Sequence, residues 1–562
     1  MKRFVCHALP MVVVPALAFA QQPELPLKLA PRPTTAEITA ADAMTRLYVF
    51  ADDSMLGRRV GTEGNFKGTA YIEREVRKLG LTPAGDSGTF FQNLPVVVRV
   101  FAPNQTISAD AKSFRPFVDF LPRDNGDFGL AVRAIDGAQV VYGGVWGDTA
   151  TMLKPSDAAG KFVIISVPPG PDGKPRWQAN RGMLTQYWLG ARAIAIASYD
   201  VMDPQSRAGL GEPSAQLKRD EQGGPAGPAF LYVTHAMAND LLGANMTSMV
   251  RGTVGKTVHG TLNYDQKPGP ARNVVAILPG SDPVLKNEYV AIGAHNDHIG
   301  YDHTPVDHDS LRAYNTVMRP GGAESEPRSA TSEDLARVRA ILDSLRKAHK
   351  PRLDSIYNGA DDDGSGSVGV LEIAEAFAKS ATKPKRSILF VWHAGEEAGL
   401  WGSEYFTDHP TVPRDSIVAQ LNIDMIGRGD AADLPGGGPG YLQLIGSRRL
   451  STELGDLVET VAKTEKTPFK FDYQYDANGH PQQYYCRSDH YEYARYGIPI
   501  VFFSTGGHRD YHQLTDEPQY IDYDQLARVA QLVHDVGLAA ANLDHRVLVD
   551  HAKPDPKGTC RQ

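Results

Sequence analysis

Tyr289-Val290-Ala291-Ile292-Gly293-Ala294-His295-Asn296-Asp297 is the stretch from which the fold can be read. An apolar run closes on a histidine, and a carboxylate stands two positions further on. Similar runs recur at Val274 to Leu278, Ile388 to Trp392, Ala419 to Ile423 and Ile498 to Phe503, with helical patterns between them. Continuous β-branched and aliphatic runs suit a sheet that is covered on both faces and largely parallel. The expected class is α/β, a mostly parallel central sheet flanked by helices. His295, Glu397 and Asp424 each follow such a run. In open α/β sheets ligands bind at the carboxyl ends of the strands, so this placement predicts a site.

Five short segments each carry a residue able to hold a metal: His295, one aspartate of Asp361-Asp362-Asp363-Gly364-Ser365-Gly366, Glu397 in Gly395-Glu396-Glu397, Asp424 in Asn422-Ile423-Asp424-Met425, and His512 after Tyr511. Two nitrogen and three carboxylate ligands can hold two ions that share one carboxylate. That donor set suits zinc, at about 2.0–2.2 Å. Paired ions about 3.5–4 Å apart serve water-driven cleavage. The expected cofactor is two Zn2+ per chain.

Each segment has a chemical rationale. Asp297 is expected to take the second ring proton of His295, which fixes the tautomer of a metal-bound histidine. Three adjacent carboxylates at 361–363 repel one another unless a cation neutralises them. A helix starting near Ser365 also favours anions, so a capping loop competes with a metal there. Glu397 is read as a ligand and Glu396 as the general acid/base, within about 3 Å of the attacking water or acting through one. Asp424 lies among Leu421, Ile423, Met425 and Ile426, where an unpaired carboxylate is costly; a metal or the nearby Arg428 can satisfy it. Tyr511 can donate to a developing oxyanion. His508 is read as structural or supporting.

The chain opens on Lys2 and Arg3, an apolar stretch from Met11 to Leu17 and Ala18-Phe19-Ala20. That pattern predicts a signal peptide at 1–20 cut near Ala20, with a secreted or periplasmic protein beyond it and no membrane span. Loss of Lys2 and Arg3 takes the net charge from −8 to −10. A mildly acidic chain with no basic tract argues against a nucleic-acid partner. Cys6 leaves with the leader. Cys486 and Cys560 then either pair in an oxidising compartment or stay as two free thiols. The length predicts two or three domains: a catalytic part at 35–124 and 265–545, a smaller β-rich α/β block at 125–257 inserted into it, and a tail at 546–562.

In their order the five segments resemble metallopeptidase family twenty-eight, which includes secreted bacterial di-zinc aminopeptidases and glutamate-carboxypeptidase-like enzymes. Leu56-Gly57-Arg58-Arg59, Ala271-Arg272-Asn273-Val274-Val275 and Ser488-Asp489-His490 extend the likeness. The inserted block resembles a protease-associated domain through Tyr142-Gly143-Gly144 and Gly160-Lys161-Phe162-Val163. The resemblance implies a zinc exopeptidase fold, His295 and Asp424 on one zinc, Glu397 and His512 on the other, and Asp362 between them. It implies Glu396 as acid/base and Tyr511 at the oxyanion. It further implies an exopeptidase acting on peptide or protein N-termini, an aminopeptidase before a carboxypeptidase of the same fold. A glutaminyl-cyclase-like acyltransferase with one zinc, or a binding module without catalysis, are the alternatives from other classes. One departure from the family pattern is the stretch between Asp297 and Asp361, where the family has a short loop. This insertion, about 298–357, is expected to form a lid or rim. Its His298, His303 and His308, with Asp302, Asp307 and Asp309, are read as a solvated loop in preference to a further metal site.

Overall fold

The computed structural model describes residues 25–102, 104–123, 133–147, 149–170, 173–218, 227–348 and 350–562. The signal-peptide segment at 1–20 lies outside them.

Nine strands form the main sheet: β1 Thr82–Pro83, β2 Phe91–Asn93, β3 Arg272–Leu278, β4 Tyr289–His295, β5 Ser387–His393, β6 Ile417–Ile423, β7 Tyr441–Ile445, β8 Lys470–Asp472 and β9 Ile500–Ser504. Their order is β1-β3-β5-β4-β6-β9-β7-β8, with β2 also on β3. The centre, β5-β4-β6-β9, is parallel, and antiparallel pairs join it to β3 on one side and β7 on the other.

Side chains alternate across a strand. Val274, Ile292, Phe390 and Trp392 therefore pack into one core, with helices α1 Ala40–Phe50, α2 Glu63–Lys78, α5 Gly366–Lys379 and α6 Tyr523–Asn542. Val275, Ala291, Leu389 and Val391 pack into another, with Phe406, Tyr493 and Phe502. Both faces are covered, which is why these strands read as unbroken apolar runs. The two buried glutamates of α5 are paired by Arg46 of α1, whose Nη1 lies 2.7 Å from Glu372 Oε1 and whose Nη2 meets Glu375.

A second sheet of eight strands runs from Ile107–Ala109 to Val254–Gly260, and a three-stranded sheet joins Val96–Phe101, Ser214–Leu217 and Tyr264–Pro268. The strands at 107–123 belong to the second sheet, so that sheet takes up chain well before residue 125, the boundary expected from sequence. The reason is local: the first three strands of that sheet are only three or four residues long and leave little periodicity to read.

The described residues of the insertion carry regular structure. Tyr301–Asp307 pairs with Leu353–Ile356, and helices α3 His308–Met318 and α4 Ser332–Ala348 lie between them. Cys486 and Cys560 are disulfide-bonded across 74 residues, tying the tail to the segment before Arg487. Among the described residues no helix is long and apolar enough to cross a membrane.

Candidate metal centre

Strand register brings the site together. His295 of β4 lies opposite His393 of β5, and Gly293 lies opposite Asn422 of β6. The chain leaves all three strands at one edge, where Glu396, Glu397 and Asp424 follow. The loop before α5 crosses that edge and delivers Asp362.

The five candidate ligands converge. His295 Nε2 is 3.2 Å from Asp362 Oδ1 and 3.7 Å from Asp424 Oδ1. On the other side of the same carboxylate, His512 Nε2 is 3.1 Å from Asp362 Oδ2 and 3.0 Å from Glu397 Oε2. Asp362 thus faces one group with each oxygen. Its carboxyl is raised by burial, but the rings of His295 and His512 override that and hold it well below the usual range. Burial works to lower His512, yet Asp362 and Glu397 push it up to about 10.

The cage fits a cation. His295 Nε2, Asp362 Oδ2 and His512 Nε2 are buried and have no hydrogen-bond partner among the described residues. Buried polar atoms are almost always partnered, so unpartnered atoms aimed at one space mark a place for an ion. His295, Asp362 and Asp424 offer three donor atoms within ion-binding reach of one another, as do His298, Asp362 and Glu397.

Supporting contacts explain why only one of the three adjacent aspartates is left to a cation. Asp363 accepts from the backbone N–H of His295 (3.1 Å), Gly366 (2.9 Å) and Met425 (3.1 Å), stitching three ligand segments together. Asp361 accepts from Gly427 N at 2.6 Å and faces His508 Nε2 at 3.3 Å. Asp516 accepts from the N–H of both Asp361 and Asp362. Arg428 pairs with Asp433 and Asp510, so it is not the partner of Asp424. Ser488 is: its hydroxyl donates to Asp424 Oδ2 at 2.7 Å.

Asp297 differs in detail from expectation. His295 Nδ1 meets its backbone carbonyl at 3.2 Å, with the carboxylate at 3.7 Å. The Asp297 carboxylate instead accepts from the N–H of Gly395 (2.7 Å) and Glu396 (3.1 Å). It holds the turn that aims Glu396. Glu396 Oε2 is 3.9 Å from His295 Nε2, and Glu396 lines a cavity with Asp362, Asp424 and Tyr511. Burial pushes its carboxyl well above the ordinary value; His295 opposes this and Asp424 and Glu397 add to it. The Tyr511 ring stacks on His512 at 4.0 Å, and its hydroxyl accepts from Arg487 at 3.4 Å.

The insertion is no solvated loop at two of its histidines. His298 is fully buried, and its Nδ1 lies 2.7 Å from Glu397 Oε1. His308 is buried against Glu517 at 2.9 Å, where Arg352 also pairs with Glu517 and Asp354. That guanidinium already compensates the two carboxylates. His303 is exposed and meets Glu212, while Asp307 and Asp309 are taken up by Arg346. The solvated-loop reading therefore fails at His298, which stands one residue after Asp297 and is carried into the site with it.

Residues 273–537 match the profile described as Peptidase family M28. This stretch belongs to peptidase family M28. The M28 segment carries all five cage residues together with Glu396 and Tyr511. Among curated proteins, "Leupeptin-inactivating enzyme 1" of Streptomyces exfoliatus is 42% identical over 78 residues, 13% of this chain and 18% of that protein. "Leucine aminopeptidase 1" of Trichophyton equinum is 30% identical over 213 residues, 36% of this chain and 53% of that protein. The alignments thus span about half or less of these relatives' lengths. Among solved structures, an aminopeptidase from Aneurinibacillus sp. strain AM-1 superposes with a TM-score of 0.48 at 17% identity, over 92% of this chain and 97% of that one.

Proposed function

We propose that this chain is a zinc-dependent exopeptidase that removes residues from peptide N-termini, with two zinc ions per chain. The observation that carries the reading is the Asp362 carboxylate, flanked on one oxygen by His295 and on the other by His512, with unpartnered ring nitrogens on both sides. The M28 match and the leucine aminopeptidase relatives support the same reading. His295 and Asp424 would hold one ion, Glu397 and His512 the other, and Asp362 both.

Zinc, when bound, supplies Lewis acidity that lowers the pKa of water and polarises a carbonyl. Glu396 takes the proton of the attacking water on its carboxylate. The new C–O bond forms as that proton leaves the water, and Glu396 then returns it to the leaving amine nitrogen as the C–N bond breaks. Tyr511 donates its hydroxyl hydrogen to the oxygen that gains charge. Asp297 keeps the Glu396 turn in place through two backbone N–H groups. His298 orients Glu397, leaving Oε2 free for the ion. On this account His298→Ala weakens metal binding on the Glu397 side about 10–100-fold, measured by competition with a chelating dye. Unchanged affinity would remove His298 from that role.

A second reading rests on Arg487, whose guanidinium lines the same cavity and can receive a substrate carboxylate, as a carboxypeptidase requires. An aminoacyl-anilide tested beside an amino-blocked dipeptide separates the two. Cleavage of the anilide is expected; cleavage of the blocked substrate alone sinks the aminopeptidase reading. Export to an oxidising compartment belongs to the same proposal, supported by the Cys486–Cys560 bond.

A further inference from the structure

The insertion between Asp297 and Asp361 reaches the reaction cavity at one turn, Gly321 to Glu324. Ala323 lines the same space as Glu396, Asp362 and Asp424, together with the apolar Met425 and Phe502 and the polar Ser488 and Ser504.

That turn is locked in place from both sides. Ala323 N donates to Gly507 O at 2.8 Å. Arg319, just before it, donates to the carbonyls of Arg509 (2.6 Å) and Tyr511 (3.0 Å), the loop that ends in His512. On the opposite side Tyr484, another cavity residue, donates its hydroxyl to Glu324 Oε1 at 2.6 Å. The fit is close: a Cβ on Gly507 would come within 2.6 Å of Ala323 Cβ, and one on Gly322 within 2.1 Å of Gly507 O. Position 323 therefore cannot retreat without disturbing the loop that carries Tyr511.

A substrate carbonyl beside Glu396 and Asp362 leaves its own side chain to fill the neighbouring apolar space. We propose that Ala323 is a specificity-determining residue, its small methyl setting the depth of the pocket so that a large apolar residue is accepted at the cleaved terminus. The proposal rests on the exopeptidase reading above. In such a pocket each methylene gained or lost changes kcat/KM by about 10–200-fold.

The test is Ala323→Phe, with Ala323→Val as the milder change should the larger one fold poorly. Leucyl- and alanyl-anilides are assayed on each purified enzyme, with zinc content and Tm as controls. The leucyl-to-alanyl ratio of kcat/KM is expected to fall about 100-fold for the phenylalanine variant, and less for valine. A ratio that stays within about threefold of wild type in both folded variants overturns the proposal. Wild-type protein is assayed first. If it cleaves only amino-blocked dipeptides, the aminopeptidase reading fails, and the same ratio is measured with leucine or alanine supplying the scissile carbonyl. If it cleaves neither, the ratio is read from calorimetric titration of leucinamide against alaninamide, so the two failures stay distinct.

Discussion

Glu396→Ala is expected to abolish peptide hydrolysis while leaving the zinc content unchanged. Glu396 lines the cavity, and its carboxylate is 3.9 Å from the nearest cage nitrogen, whereas His295, Asp362, Glu397, Asp424 and His512 approach one another at 3.0–3.7 Å. Its turn is held by Asp297 through backbone N–H groups, which alanine retains. Loss of a positioned acid/base removes a factor of about 10²–10⁴ from the rate. Steady-state kinetics and elemental analysis on one preparation check both halves. Full activity would refute the role; lost zinc would make Glu396 a ligand.

The second large effect is expected at Asp362. Asp362→Ala removes the one carboxylate that faces both halves of the cage, so zinc is lost from both and activity with it. The protein is destabilised as well. His295 stays fully buried, and Glu397 and His512 partly so, with a shared partner gone; deleting one member of a buried charge pair costs up to about 3–5 kcal/mol. Zinc titration and thermal melts with and without a chelator measure this. Wild-type melting falls on chelation, because an ion held by the folded state alone stabilises it by mass action. The Asp362→Ala melt is insensitive to the chelator. Retention of two tightly bound ions would show that the carboxylate is not shared.

The contrast among the three adjacent aspartates explains how far the sequence could be read. Repulsion among three adjacent carboxylates predicts a cation near 361–363, and the family resemblance, with an aspartate three residues before Ser365, implies Asp362. The fate of its neighbours was not legible. Asp363 is satisfied by N–H groups of His295, Gly366 and Met425. Asp361 accepts from the N–H of Gly427 and lies against His508. Apart from Gly366, those partners come from three distant segments, and no local pattern encodes them. Arg428 shows the converse. It stands near Asp424 in the chain, yet the fold turns it toward Asp433 and Asp510 and gives Asp424 to Ser488.

By itself the amino-acid sequence determined the five strands at the centre of the main sheet, because strands buried on both faces must be written as unbroken apolar runs. It also determined the kinds of ligand, since a carboxylate or histidine at the end of such a run needs a partner. Tertiary structure alone decided that β4, β5 and β6 pair in a register that brings their ends level. It alone buried His298 against Glu397, joined Cys486 to Cys560, and set Ala323 on the cavity wall. The physical reason is range: alternation and helical period act over a few residues, whereas burial, pairing and the shape of a cavity depend on segments that meet only after the chain has folded.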